Sequence, residues 1–188
     1  MSRIRCFVAA ALPEAVRNDL AALQERFRSL APGLRWVAPA SIHLTLKFIG
    51  EVEPNVFEAI AGALKPPLAP EAQAILVPRG VGAFPSVRRA RVLWVGLAGD
   101  VAVVAKAALE VEARLEPLGI PREARPFTPH LTVGRARNPG EMPDLRAALE
   151  AEGEYEGPSF TVSELVLYES RLSPKGPTYT PRKIISLQ

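Results

Sequence analysis

His43-Leu44-Thr45-Leu46 and His130-Leu131-Thr132-Val133 are two copies of one pattern, and they contain the only two histidines among 188 residues. Successive side chains of a β-strand point to opposite faces, so residues two apart share a face. Each copy therefore predicts a strand with an imidazole and a hydroxyl on one face and two apolar side chains on the other. One copy alone is typical of a core strand. The repetition of both polar residues favours a shared function.

The sequence around the two copies repeats as well, at the offset of 87 residues that separates position 43 from position 130. The first unit is predicted as a strand over 4–12, a helix over 13–30, the His43 strand over 42–49, a helix over 54–64 and a strand over 72–78. The second is predicted as a strand over 91–97, a helix over 101–118, the His130 strand over 126–136, a helix over 141–151 and a strand over 160–168. We therefore expect a β-α-β-α-β unit used twice.

This repeat predicts one domain over residues 1–188, with halves of about 1–85 and 86–172 joined by a linker over 80–91. A last strand over 180–187 is expected to return to the first half. A hydrophobic content of 48% with 23% charged residues is that of a globular protein with a sizeable core. No apolar run approaches the roughly 18 residues of a membrane helix, so we expect no membrane partner.

The cysteine and histidine content limits the chemistry. Cys6 is the only cysteine, which excludes an internal disulfide and fits a cytoplasmic location. The spacing of histidines and cysteine does not form a zinc site, so we expect no metal and no cofactor. A net charge of +3, carried mostly by arginine, permits a nucleic-acid partner without requiring one.

Two histidines that face one groove can share general acid–base catalysis on a phosphate. Their ordinary pKa of about 6.5 lets neutral and protonated forms coexist near neutral pH. One imidazole would take a proton from an attacking water, and the other would protonate the departing oxygen. Thr45 and Thr132 could donate hydrogen bonds to the non-bridging phosphate oxygens, where charge builds up.

The sequence resembles the 2H phosphoesterase superfamily, which is defined by two H-x-T-x motifs, and within it the RNA 2′,3′-cyclic phosphodiesterases, also called 2′-5′ RNA ligases. The resemblance covers nearly the whole chain. Its carriers, besides the two motifs, are the stretches over 5–9, 47–50, 84–85, 91–96, 134–135, 169–170 and 176–177, together with Pro129 and Tyr179. It implies an α+β, bilobal fold in which two antiparallel sheets line a central groove and the helices lie outside.

The resemblance also implies the reaction, which is hydrolysis of a 2′,3′-cyclic phosphate to a 2′-phosphate end, with reversible 2′-5′ ligation as a side activity. By this likeness His43 is the proton donor and His130 the proton acceptor, although the two copies are too similar for the sequence to assign these roles. The implied substrate is RNA or a nucleotide with a 2′,3′-cyclic phosphate, including tRNA fragments, and we expect a monomer. Two alternatives stay open, a non-catalytic RNA- or nucleotide-binding module and a phosphodiesterase for 2′-5′ oligonucleotides.

Further substrate contacts are predicted near the motifs. Alternation puts Lys47 on the face of His43 and Thr45. It puts Arg135 on the face opposite to His130, unless the strand bulges, although the family framework favours a contact from Arg135. Three aromatic residues could stack a base or belong to the core, namely Trp36, Phe48 and Tyr179. A basic run over 88–91 reads as a solvated loop or as a contact with an RNA backbone.

Overall fold

The computed structural model describes residues 2–65, 68, 73–138, 144–174 and 176–187. The fold is α+β, as predicted. Within these ranges nine strands form the sheet: β1 (Ile4–Ala11), β2 (Leu34–Trp36), β3 (His43–Val52), β4 (Ala74–Phe84), β5 (Val92–Gly99), β6 (His130–Ala136), β7 (Phe160–Val162), β8 (Glu164–Ser173) and β9 (Gly176–Ser186). The same ranges contain four α-helices: α1 (Glu14–Arg28), α2 (Pro54–Ala63), α3 (Val101–Leu115) and α4 (Arg146–Glu152).

All these strands pair antiparallel, in the order β7-β4-β5-β6-β3-β1-β8-β9, with β2 on β6. The sequence predicts two antiparallel sheets, and these correspond to two halves of one continuous sheet. The first half contains β1, β3, β8 and β9, and the second contains the other five strands. The halves meet where β3 pairs with β6 through Leu44 and Leu131. These two leucines are equivalent in the 87-residue repeat, so the junction lies on the repeat's approximate two-fold axis.

The third strand of each repeat pairs with the first strand of the other repeat, so the two repeats exchange their third strands. β4 comes from the first repeat but pairs with β5 of the second, and β8 comes from the second repeat but pairs with β1 of the first. Each half of the sheet therefore contains strands of both repeats. β4 also continues through much of the predicted linker, because its pairing with β5 extends to Phe84.

Most predicted elements lie where the sequence puts them. α1 begins at Glu14 and α3 at Val101, which is the repeat offset. The strand predicted over 160–168 is two strands, β7 and β8. The final strand pairs with β8 in the first half of the sheet, as expected. The last predicted helix begins at Arg146 within the described chain, whereas its expected start at 141 lies outside the described residues.

The helices cover one face of the sheet with amphipathic stripes. α1 buries Val16, Leu20, Leu23 and Phe27, whose three- and four-residue spacing keeps them on one side. Each such side chain contributes about 1.5–3 kcal/mol on burial. The helices therefore occupy one face of the sheet and leave the polar side chains of both motifs on the other.

No described helix is long and apolar enough to cross a membrane.

Candidate active site

The two motifs lie side by side at the junction of the sheet halves. Because Leu44 pairs with Leu131 in an antiparallel ladder, His43 stands opposite Thr132, and Thr45 stands opposite His130. Both leucines are fully buried on the helix side, so the four polar residues share the other face. Diagonal neighbours in such a ladder are about 7–8 Å apart. That separation lets two imidazoles lie on either side of one phosphate.

Each histidine ring is oriented by a backbone carbonyl two residues earlier. Nδ1 of His43 lies 2.8 Å from the Ser41 carbonyl oxygen, and Nδ1 of His130 lies 2.8 Å from the Thr128 carbonyl oxygen. A carbonyl oxygen can only accept, so Nδ1 carries the proton and donates it in both rings. Nε2 is then left to exchange a proton with a substrate.

Aromatic rings hold His43 from two sides. Phe7 stacks on its imidazole at a centroid distance of 4.8 Å, and Tyr179 meets it edge-on at 5.2 Å. Burial lowers the pKa of His43 below 6.5, the Ser41 carbonyl opposes this shift, and the positive charge of Arg135 adds to it. The imidazole is therefore a stronger acid than that of an exposed histidine.

His130 has a corresponding aromatic setting in the second repeat. The ring of Phe84 meets its imidazole edge-on at 5.3 Å, and Trp94 lies at 6.4 Å in a similar orientation. Trp94 on β5 is the repeat counterpart of Phe7 on β1. Both histidines are thus braced by a ring from the adjacent first strand of their own repeat.

A β-bulge follows the threonine in both motifs. On β3, consecutive residues Val8 and Ala9 pair with Lys47 and Thr45, which leaves Leu46 without a partner. On β6, Leu93 and Trp94 pair with Gly134 and Thr132, which leaves Val133 without one. An inserted residue reverses the alternation of side chains beyond it. The bulges therefore decide which later residues reach the motif face.

The bulge on β6 turns Arg135 toward the face of His130 and Thr132, where it is exposed and lines the groove. This is the geometry that strict alternation did not allow and that a bulge would permit. The side chain also lies close enough to His43 to lower its pKa, after the larger effect of burial. Its contact with a substrate stays a prediction.

The bulge on β3 turns Lys47 away from the groove, so the prediction that it shares the face of His43 is wrong. Its side chain is only 2% exposed. Nζ donates to Glu112 Oε1 on α3 at 2.8 Å and to the Pro121 carbonyl oxygen at 2.7 Å. The backbone N–H of Glu123 donates to the same Glu112 oxygen at 2.8 Å. Lys47 therefore anchors the start of the segment that leads to His130.

A groove of about 570 Å³ opens on the His43 side of the motif face. Its lining includes His43, Thr45 and Thr132 but not His130, which borders the same face beyond the cavity. Three arginines line it, Arg5, Arg35 and Arg135, and no carboxylate is among the described lining residues. The groove is therefore suited to anions, and it holds more than a single phosphate.

The aromatic candidates have different surroundings. Phe48 is 46% exposed in the groove, with the Arg5 guanidinium 4.6 Å from its ring centroid. Tyr179 contacts His43 directly. Trp36 borders the groove, but its ring packs toward Phe27 of α1 on the helix side. Phe48 and Tyr179 are thus better placed than Trp36 to contact a base.

Two of the three groove arginines were missing from the predicted site. Arg35 lies in β2, a three-residue strand with no motif signal, and Arg5 was noted only as part of the family resemblance. The basic run at 88–91 follows β4 and does not line the groove, so its RNA contact stays a prediction. Within the described chain, no group of three or more histidine, cysteine, aspartate or glutamate side chains is arranged to hold a metal ion.

Comparison with known proteins agrees with this geometry. A family model described as LigT like Phosphoesterase matches residues 11–94 and 98–179. The chain is 30% identical over 185 residues to a protein of Methanothermobacter thermautotrophicus named RNA 2′,3′-cyclic phosphodiesterase, covering 98% of this chain and 100% of that one. A Thermus thermophilus protein of the same name is 32% identical, with 98% and 91% covered.

Solved structures share the fold over nearly the full length. The protein TT0787 of Thermus thermophilus superposes with a TM-score of 0.76 at 29% identity, covering 97% of each chain. LigT of E. coli, crystallised in complex with 3′-AMP, gives a TM-score of 0.75 at 25% identity, covering 99% of each chain.

Proposed function

The chain belongs to the LigT-like phosphoesterase family, and on that premise we propose that it hydrolyses the 2′,3′-cyclic phosphate of an RNA end or a nucleotide to a 2′-phosphate. The observation that carries the proposal is the pairing of both H-x-T-x motifs on one face, with Nδ1 of each histidine held by a carbonyl and Nε2 without a hydrogen-bond partner among the described residues. Relatives named RNA 2′,3′-cyclic phosphodiesterase over nearly the whole chain support the same substrate. Residues 1–188 would act as one unit, because each sheet half contains strands of both repeats.

The reaction requires in-line displacement at phosphorus. A water molecule attacks from one side while the bond to the ribose 3′ oxygen breaks on the other. The cavity supports His43 as the proton donor, because the ribose that carries the leaving oxygen needs room and the groove lies on the side of His43. His130 lies outside that cavity and would take the proton from the attacking water. Each residue contributes about 10²–10⁴-fold if it acts as a general acid or base.

The remaining polar groups would stabilise the charge on the phosphate. Thr45 and Thr132 stand beside the two histidines and can donate hydrogen bonds to the non-bridging oxygens. A bound phosphodiester brings a negative charge close to His43, which raises its pKa and favours the protonated form that a donor needs. Arg135 would contact the substrate from the groove, where a bound anion would compensate its charge and so weaken its effect on the pKa of His43.

The same two-histidine scheme would also support 2′-5′ ligation of RNA ends. If the 5′ hydroxyl of a second RNA replaces water, the same two histidines form a 2′-5′ bond. tRNA fragments with cyclic ends are suitable substrates for both reactions.

The protein would act as a monomer, because one chain supplies both histidines. We assign the activity to the cytoplasm, where the buried Cys6 thiol would stay reduced.

A direct assay tests the proposal against a non-catalytic binding module. The protein is incubated in EDTA with an oligoribonucleotide ending in a 2′,3′-cyclic phosphate, and the isomer of the product is identified. We expect a 2′-phosphate from the wild type and from Lys106→Gln, a control on the exposed side of α3. His43→Ala and His130→Ala should each lose most turnover while still binding. Full activity in either histidine variant, or turnover that EDTA abolishes and zinc restores, would refute the two-histidine scheme.

A further inference from the structure

Arg35 and Arg135 stand directly opposite each other where β2 pairs with β6. Both are exposed, and both line the groove. Like charges in such a cross-strand pair destabilise a sheet. Neither guanidinium has an ion pair or a hydrogen bond to a carboxylate within the part of the chain that the structure describes. The fold therefore holds two uncompensated positive charges together in the groove, at a cost that a bound anion would remove.

The pair lies at a defined distance from the motif. Thr132 pairs with Trp94 on β5, and Arg135 pairs with Val92. Two residues of β5 therefore separate them, which corresponds to about 6–7 Å along the strand. Arg35 lies one strand further, about 4.8 Å away. This distance suits the next phosphate along a single RNA strand, one nucleotide from the phosphate between the histidines.

We propose that Arg35 and Arg135 bind a second phosphate, the one attached to the 5′ oxygen of the nucleoside that carries the cyclic phosphate. This inference rests on the proposed function and narrows its substrate. The substrate class is an RNA end, or a nucleoside 2′,3′-cyclic phosphate with a 5′-phosphate, rather than a bare nucleoside cyclic phosphate. Arginine suits this task because its planar fork binds two phosphate oxygens at once.

A two-by-two kinetic comparison tests this inference. The substrates are adenosine 2′,3′-cyclic phosphate with and without a 5′-phosphate, and the proteins are the wild type and Arg35→Gln. The wild type should prefer the 5′-phosphorylated substrate by about ten- to a hundredfold in kcat/KM, the usual range for charge-assisted hydrogen bonds. Arg35→Gln should lose most of that preference and keep its rate on the bare substrate within about threefold.

The matched control is Lys106→Gln, which removes one positive charge outside the groove and should keep the full preference. Arg35→Lys separates charge from geometry, and we expect partial retention because an ammonium cannot form the bidentate contact. An equal loss on both substrates would assign Arg35 to the reacting phosphate or to folding. An unchanged preference in Arg35→Gln would place the second phosphate elsewhere. Either result would overturn the inference.

Binding and stability test the inference even if the chain turns over neither substrate. Adenosine 2′,5′-bisphosphate should bind the wild type more tightly than adenosine 2′-phosphate, and Arg35→Gln should remove the difference. The unliganded variant should also unfold at a higher temperature than the wild type, because the opposed charges are relieved. Equal binding of the two ligands by the wild type would refute the second-phosphate site, whereas missing turnover with selective binding would refute only the proposed reaction.

Discussion

Replacing Lys47 by methionine tests the buried ion pair that joins the two motifs. The substitution keeps the apolar stem but removes the ammonium that binds Glu112 and the Pro121 carbonyl. The Glu112 side chain is 11% exposed, so its carboxylate would be left buried with only the Glu123 N–H as a partner. Removing one member of a buried pair costs about 3–5 kcal/mol. For a chain of this size, that lowers Tm on the order of 10 °C.

The double variant Lys47→Met/Glu112→Gln separates the lost contacts from the stranded charge. A neutral amide needs no counter-ion, and its oxygen can still accept from the Glu123 N–H. We expect the double variant to recover more than half of the lost free energy of unfolding, measured by urea denaturation. Lys106→Met, on the exposed side of α3, is the control and should change stability by less than about 0.5 kcal/mol.

The pH dependence gives a second readout of the same pair. Burial alone would raise the pKa of Glu112, but the Lys47 ammonium and the Glu123 N–H outweigh it and lower the pKa below 4.5. The pair therefore stabilises the fold above that value and loses this contribution as pH falls through the lowered pKa. In Lys47→Met the largest opposing contribution is lost and only the Glu123 N–H and the charge of Arg122 still act against burial, so the pKa of Glu112 should rise relative to the wild type. The deficit relative to the wild type should then be full at pH 7 and smaller at pH 4.

Activity should change as well. Pro121 and Glu123 begin the segment that ends at Thr128, whose carbonyl oxygen orients His130. Lys47→Met should therefore lower kcat at a temperature where the variant is fully folded. The reasoning would be refuted if Lys47→Met matched Lys106→Met in stability, or if its deficit were the same at pH 4 and pH 7.

Three further predictions concern the motif face. A substrate with a good leaving group in place of the 3′ hydroxyl should rescue His43→Ala far better than His130→Ala, and equal rescue would contradict the assigned roles. In NMR titrations of the unliganded protein, His43 should titrate below pH 6.5, because burial and secondarily Arg135 lower its pKa; Arg135→Gln should raise that midpoint, and an unmoved midpoint would exclude the electrostatic contact. Thr45→Val and Thr132→Val should reduce kcat by less than either histidine variant and leave a bell-shaped pH profile in place, since hydroxyls do not titrate in this range; a lost limb would show that a threonine controls a proton transfer.

The sequence predicts the motif face well because alternation holds from His43 to Thr45 and from His130 to Thr132. It fails immediately afterwards. The bulged residues are Leu46 and Val133. No glycine or proline adjoins Leu46, whereas Gly134 follows Val133 and is a bulge signal that alternation alone does not use. Alternation therefore assigned Lys47 to the wrong face, and it put Arg135 on the face opposite to His130 unless the strand bulged.

The pairing of the strands could not be predicted from the sequence either. An 87-residue repeat states the order of elements along the chain but not which strand lies beside which. The exchange of β4 and β8 depends on tertiary contacts between residues far apart along the chain, such as Cys6 and Glu169. Arg35 was missed for a related reason, because its importance comes from the residue opposite to it on β6.

The exchange of third strands bears on how such a chain could have arisen. A lone copy of the repeat would leave its first strand without the neighbour that β8 supplies to β1, while its own third strand would lack a partner. Two identical copies would satisfy both needs by domain swapping, with the leucine of each motif meeting its symmetry mate on the two-fold axis. Such a homodimer would already present two histidines and two threonines on one face. Fusion of the two copies would then free each histidine to specialise, one toward releasing protons and the other toward accepting them.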